Sequence, residues 1–249
     1  MKKLMIRADD LGYSKGINYG IYESVKNGVI KNIGFMVNMP NSVEGYNLVK
    51  DYDICLGQHT NVCVGRPICN PSLIPSLVQE NGEFKPSRMY RTSKVDFVVI
   101  EEAVLEIEAQ YERFKIITGQ EPRYFEAHAV QSDNLMKALK IVADRHGLKF
   151  CDVSFDGTPI IVNGQKMYMW MDGMNPDYNP LELFKKMHNE GHEDGYDMMV
   201  CHPGFLDDYI LTTSSLTNQR TKEVEMLCSD ELRQYMINND IRLYKYDEV

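Results

Sequence analysis

Absences narrow the field before any motif is read. No stretch of the 249 residues approaches the ~18 consecutive apolar positions of a membrane-spanning helix, so no bilayer contact is expected. No basic run with interleaved aromatics appears, and the net charge is −9. An acidic surface repels phosphate backbones, which argues against nucleic acid as a partner. The six cysteines, Cys55, Cys63, Cys69, Cys151, Cys201 and Cys228, form no Cys-x-x-Cys pair. A thiolate metal ribbon or a redox dithiol is therefore not indicated, and buried free thiols are expected. The opening Met1-Lys2-Lys3-Leu4-Met5-Ile6-Arg7 is too short for a secretory signal core and has no small-residue cleavage site. With the unpaired thiols, that gives the expectation of a cytoplasmic location. No internal repeat, low-complexity tract or linker interrupts the chain, which reads as one domain over residues 1–249.

What is present is ordinary globular material. Hydrophobic residues make up 43% and charged residues 25%, and a chain of this length buries most of the apolar surface it exposes when unfolded. Short apolar runs alternate with amphipathic stretches. Strands are expected at Leu4–Ala8, Val29–Asn38, Ile54–Gln58, Tyr124–Ala127, Lys149–Val153, Asp197–Cys201 and Ile241–Tyr246. Helices are expected at Lys15–Asn27 after a Ser14 cap, Ser42–Lys50, Phe97–Thr118 up to Gly119, Asp133–Arg145, Leu181–Asn189, Arg220–Leu227 and Asp230–Asn238 after Ser229. The Pro- and Cys-bearing stretch from about residue 62 to 96 reads as an excursion, with a tight turn at Glu80-Asn81-Gly82-Glu83. Strands alternating with helices imply a parallel sheet covered by helices. About seven strands favour a deformed, TIM-barrel-like (β/α) barrel over an open doubly wound sheet.

The polar residues then fall in one place. In parallel α/β folds, reactive groups gather at the carboxyl ends of the strands. Asp9 and Asp10 follow the first strand, His59 the third, His128 the strand Tyr124–Ala127, and His202 the strand Asp197–Cys201. Four separate strands thus deliver two carboxylates and three imidazoles to one end of one sheet. One carboxylate and two imidazoles make a set with open positions for a divalent ion such as zinc, nickel, manganese or iron. Such an ion lowers the pKa of its water and polarises a carbonyl oxygen. A second carboxylate can take a proton and a histidine can deliver one. His146, His188 and His192 lie on or beside helices and read as surface residues.

With these residues placed, the sequence resembles the YdjC-like carbohydrate deacetylases. The resemblance is carried by Arg7-Ala8-Asp9-Asp10-Leu11-Gly12, where that family typically reads Asn-Ala-Asp-Asp-Phe-Gly, and by Met36-Val37-Asn38-Met39-Pro40. Gly57-Gln58-His59-Thr60-Asn61, Gly65-Arg66-Pro67, Cys201-His202-Pro203-Gly204-Phe205 and Gln219-Arg220 extend it along nearly the whole chain. The resemblance implies a deformed barrel and one divalent metal ion, magnesium or zinc, held by Asp10, His59 and His128. It further implies Asp9 as general base, His202 as general acid, and loss of an acetyl group from an N-acetylated mono- or oligosaccharide. Arg66 and Arg220 are the candidates for holding substrate, with positioning of a site carboxylate as an alternative for Arg220. A homodimer is also implied.

Two departures stand out. The resembled family reads Asp-Ser-His-x-His-x-His where this chain has Glu126-Ala127-His128-Ala129-Val130-Gln131-Ser132, and Arg7 replaces an asparagine. The same residues would serve hydrolysis of another amide or of a phosphoester, and a non-catalytic sugar-binding relative is a third reading.

Overall fold

The computed structural model describes residues 2–249. Its elements run β1 (Lys3–Leu11), α1 (Lys15–Lys26), β2 (Asn32–Phe35), α2 (Ser42–Val49), β3 (Cys55–Thr60), α3 (Ser87–Thr92), α4 (Ile100–Thr118), β4 (Tyr124–Ala127), α5 (Asp133–His146), β5 (Lys149–Phe150), β6 (Ile160–Val162), β7 (Gln165–Trp170), α6 (Pro180–Glu190), β8 (Gly195–Cys201), α7 (Asp208–Thr213), α8 (Asn218–Cys228) and α9 (Asp230–Asn238).

β1 organises the rest. Every residue from Leu4 to Leu11 is buried, which requires a strand covered on both faces and paired on both edges. It lies between β2 and β8, parallel to both, in a sheet ordered β5-β4-β3-β2-β1-β8-β7-β6. Among the described residues only the β6–β7 pair is antiparallel. The result is the expected deformed barrel, nearly closed, with its gap between β5 and β6. Strand alternation divides the core. Leu4, Ile6 and Ala8 pack outward with Ile17 and Ile21 of α1 and Leu227 of α8. Met5 points inward with Tyr124, Met198 and Tyr246. A further cluster joins the excursion (Val62, Ile74, Leu77, Phe84) to α4 and α5.

Local chemistry sets most helix ends where the sequence places them. Ser14, Ser132 and Ser229 each accept a backbone N–H in the first turn of α1, α5 and α9. Gly119 ends α4 in the left-handed conformation that glycine adopts freely.

Three expectations need correction. Ile241–Tyr246 is not a strand. It makes one parallel bridge, Leu4 to Leu243, and then turns inward. The Asn32 side chain bonds the carbonyls of Ile6 and Tyr244 and the amide of Tyr246, so a side chain stands in for the ladder. Tyr246 thereby plugs the barrel, stacked on Tyr124 at 3.9 Å. The hairpin β6–β7 was not anticipated, although Asn163 and Gly164, both at positive φ, form its turn in the way Asn-Gly does. Val29–Asn38 and Lys149–Val153 shrink to the short strands Asn32–Phe35 and Lys149–Phe150. The turn in the excursion is present: Val78 and Phe84 bridge across it, with Gly82 at φ +77.

Candidate metal centre and active site

Asp9 and Asp10 are consecutive strand residues, and alternation would send their side chains to opposite faces. The register slips between Ala8 and Leu11, and Asp10 takes φ +80. A left-handed non-glycine residue costs on the order of 1–3 kcal/mol. Here the irregularity turns Asp10 so that both carboxylates approach His59.

Asp10, His59 and His128 are 0%, 2% and 7% exposed. Asp10 Oδ1 lies 2.9 Å from His128 Nδ1 and 3.1 Å from His59 Nε2, and the two ring nitrogens are 3.0 Å apart. Donors bonded at about 2.1 Å to one ion in adjacent octahedral positions stand about 3 Å apart, so the donor set and its spacing fit a divalent ion. The other oxygen of Asp10 is fully buried. It has Arg220 Nη2 at 2.8 Å, out of line for a hydrogen bond.

His59 is held from behind. Its Nδ1 meets Glu126 Oε1 at 2.5 Å, which fixes the ring and leaves Nε2 facing the trio. Glu126 lies on β4, and His128 follows directly after the strand's end. Its second oxygen is buried without an aligned hydrogen bond, 3.4 Å from Arg7 Nη2. Arg7 grips Asp9 with two bonds, 2.6 Å from Nε and 2.8 Å from Nη2, and reaches Tyr246 Oη with Nη1 at 3.2 Å. Gly34 on β2 makes this possible: a Cβ there would come within 2.6 Å of Glu126 Oε1 and 2.9 Å of Asp9 Oδ1.

The electrostatics follow. Burial disfavours charge on His59, but Glu126, Asp9 and Asp10 outweigh it and push the ring up to about 10. Burial likewise opposes charge on His128, and Asp10 reverses it, up to about 9. Burial raises Asp10, but His128 and Arg220 hold it well below the usual carboxylate range. The trio is metal-capable, and an ion bound there would displace the protons its imidazoles otherwise hold.

His202 sits on a different footing. Its ring makes no hydrogen bond among the described residues, and burial pushes it below the ordinary imidazole value against the pull of Asp10 and Asp9. The ring is thus neutral at pH 7.

Each candidate has a definite place. Asp9, Asp10, His59, His128 and Arg220 form one buried cluster. Arg220 is 2% exposed and bonds the carbonyls of Leu216 and His202 besides facing Asp10. Arg66 is exposed on the excursion and makes no ion pair among the described residues; its carbonyl accepts from Asn38. Val130 and Ser132, where the resembled motif carries histidines, have other work: Val130 packs in the α4–α5 core, and Ser132 caps α5 and bonds Asp96. Glu126, Glu223 and Tyr246 were not singled out from the sequence. Only Glu126 carried a usable signal, the two-residue spacing from His128. A cavity of 1140 Å³ has none of the cluster's residues in its lining. It is lined by Gln131, Ser132, Phe150, Asp152 and Phe155 at the carboxyl ends of β4 and β5.

A nearly closed, mainly parallel barrel with a metal-capable Asp–His–His set at the carboxyl ends of its strands is the class these features define. The chain belongs to the YdjC-like protein family, which matches residues 3–238. It is 31% identical to a carbohydrate deacetylase of Geobacillus stearothermophilus, over 98% of this chain and 96% of that one. It is 28% identical to carbohydrate deacetylase 2 of Listeria innocua, over 99% and 98%. A crystal structure from Enterococcus faecalis V583, named for cellobiose-phosphate cleavage, superposes with a TM-score of 0.86 at 23% identity, over 99% and 98% of the two chains, and shares the fold.

Proposed function

We propose that this protein hydrolyses the acetyl group from an N-acetylated sugar. The observation that carries the reading is the convergence of Asp10, His59 and His128 from β1, β3 and β4 to mutual distances of 2.9–3.1 Å in a buried site. The names of the relatives supply the substrate class. Asp10, His59 and His128 would hold one divalent ion, magnesium or zinc, which when bound polarises the acetyl carbonyl and acidifies water.

The other groups serve proton transfer and orientation. Asp9 is the base. Arg7 engages one lone pair on each of its oxygens, and a carboxylate has about four acceptor positions, so Asp9 can still accept from water. Water adds to the acetyl carbon, the carbon–nitrogen bond breaks, and acetate and the free amine leave. His202 delivers the proton that the departing nitrogen needs. Because burial keeps its ring neutral at rest, that proton arrives during turnover. Arg220 keeps Asp10 oriented. Arg66 and the trough at the ends of β4 and β5 offer contacts to the remainder of a longer sugar.

The test is acetate release from short N-acetylglucosamine oligomers by metal-stripped protein resupplied with one divalent ion at a time. Release that depends on the ion supports the reading and names metal and sugar class. Binding of an ion with no release from any N-acetyl sugar would sink it.

A further inference from the structure

We infer that Glu223, with Tyr178 behind it, is the positioning residue that aims His202, an inference that rests on the deacetylase reading above. Glu223 lies on α8 and is 1% exposed. Its Oε2 accepts the backbone N–H of His202 at 2.6 Å, and its Oε1 accepts the hydroxyl of Tyr178, itself 3% exposed, at 2.7 Å. A buried carboxylate used in this way is costly unless its geometry matters.

The rest of the loop is fixed from the same helix turn. Arg220, three residues earlier on α8, donates to the His202 carbonyl at 3.3 Å, and its own carbonyl accepts the amide of Gly204 at 3.3 Å. Pro203 has no N–H to place. Gly204 and Phe205 are clamped against α1: Phe205 N donates to Gly16 O at 3.0 Å, and a Cβ on Gly20 would meet Gly204 Cα at 2.4 Å. The amides of His202, Gly204 and Phe205 and the carbonyl of His202 are thus tethered, while the His202 ring has no partner among the described residues. An unheld ring is directed only through its backbone. Of the two tethers on the His202 residue itself, the one to Glu223 is the shorter, 2.6 Å against 3.3 Å from Arg220. Asp10 and His202 are both anchored to α8, so one helix turn sets the metal-facing carboxylate and the proton donor in a common frame.

The experiment is a double-mutant cycle on acetate release, with metal content measured in every variant. Glu223→Leu should lower kcat about 100-fold with KM and metal content little changed, as expected for an interaction expressed in the transition state. Glu223→Gln should lie within about 10-fold of the wild type, because its amide oxygen still accepts from His202 while Tyr178 turns to accept from the amide nitrogen. Tyr178→Phe should be milder than Glu223→Leu. In a His202→Ala background, Glu223→Leu should cost less than about 3-fold, since nothing remains to aim. A full, additive loss in that background overturns the inference, as does a Glu223→Gln variant that is folded, metal-loaded and as slow as Glu223→Leu. A metal-loaded wild type that releases no acetate overturns instead the reading on which the inference rests.

Discussion

Two donor sets share His59, and a guanidinium enters each of them differently. On one side Asp10 Oδ1 and His128 join His59 Nε2, and the Arg220 guanidinium meets only the other oxygen of Asp10. On the other, Asp9 and Glu126 face His59 Nδ1, and the Arg7 guanidinium already sits between the two carboxylates. Both sets are buried and each contains a carboxylate from the Asp9-Asp10 pair. The lesson is that residue type does not locate a metal. What distinguishes the sets is where the fixed charge sits: Arg7 lies between Asp9 and Glu126, whereas Arg220 meets Asp10 only at the oxygen that does not face the histidines, and buried charge must be neutralised by something.

The largest expected effect breaks the first set. Asp10→Asn removes the carboxylate facing both histidines and should abolish divalent-ion binding and lower acetate release at least about 1,000-fold, read by metal content and steady-state rates. His202→Ala touches neither set. It should cost about 100- to 10,000-fold in kcat while the ion stays bound, which separates proton delivery from metal binding. Glu126→Gln alters the second set while keeping an acceptor for His59 Nδ1. Metal affinity at the first set should fall about 10- to 100-fold by competition titration, the usual weight of a group that orients a ligand from behind.

The smallest effect uses a buried carboxylate neutralised by neither ion nor guanidinium. Glu106 accepts from the amides of Ile68 and Cys69 and from Gln110, and so pins the excursion to α4. Burial pushes it up from 4.5 to about 6 despite these donors. Its folded value is raised, so its favourable contribution is complete below 4.5 and is lost as pH rises through about 6. The stability of the wild type relative to Glu106→Gln should therefore fall by on the order of 2 kcal/mol between pH 4 and pH 7, measured by urea unfolding of both proteins. A flat difference would mean that the amide donors cancel the effect of burial, and a rising one that they outweigh it.

The legible part of the molecule was the part written in periodicity and strand ends. Alternating strands and helices gave the barrel, and the position of each polar residue after a strand gave Asp9, Asp10, His59, His128 and His202. What stayed hidden was long-range. Glu223 meets His202 from 21 residues away, and Tyr246 reaches Arg7 across 239. No local pattern marks such partners. The C-terminal segment looked like a strand because it alternates, yet the Asn32 side chain replaced its ladder. Arg220 was visible as a candidate, but its burial and its contact with Asp10 are seen only in the fold. The bulge at Asp10 has no signature in sequence, because aspartate adopts both ordinary and left-handed backbone.

The most direct test of the contrast between the two sets is anomalous diffraction from crystals soaked in zinc or manganese. We predict a single peak per chain at this site, within bonding distance of Asp10 Oδ1, His59 Nε2 and His128 Nδ1, with Arg7 still bound to Asp9. A peak between Asp9 and Glu126 with Arg7 displaced, or no peak near His59 at all, would contradict the account.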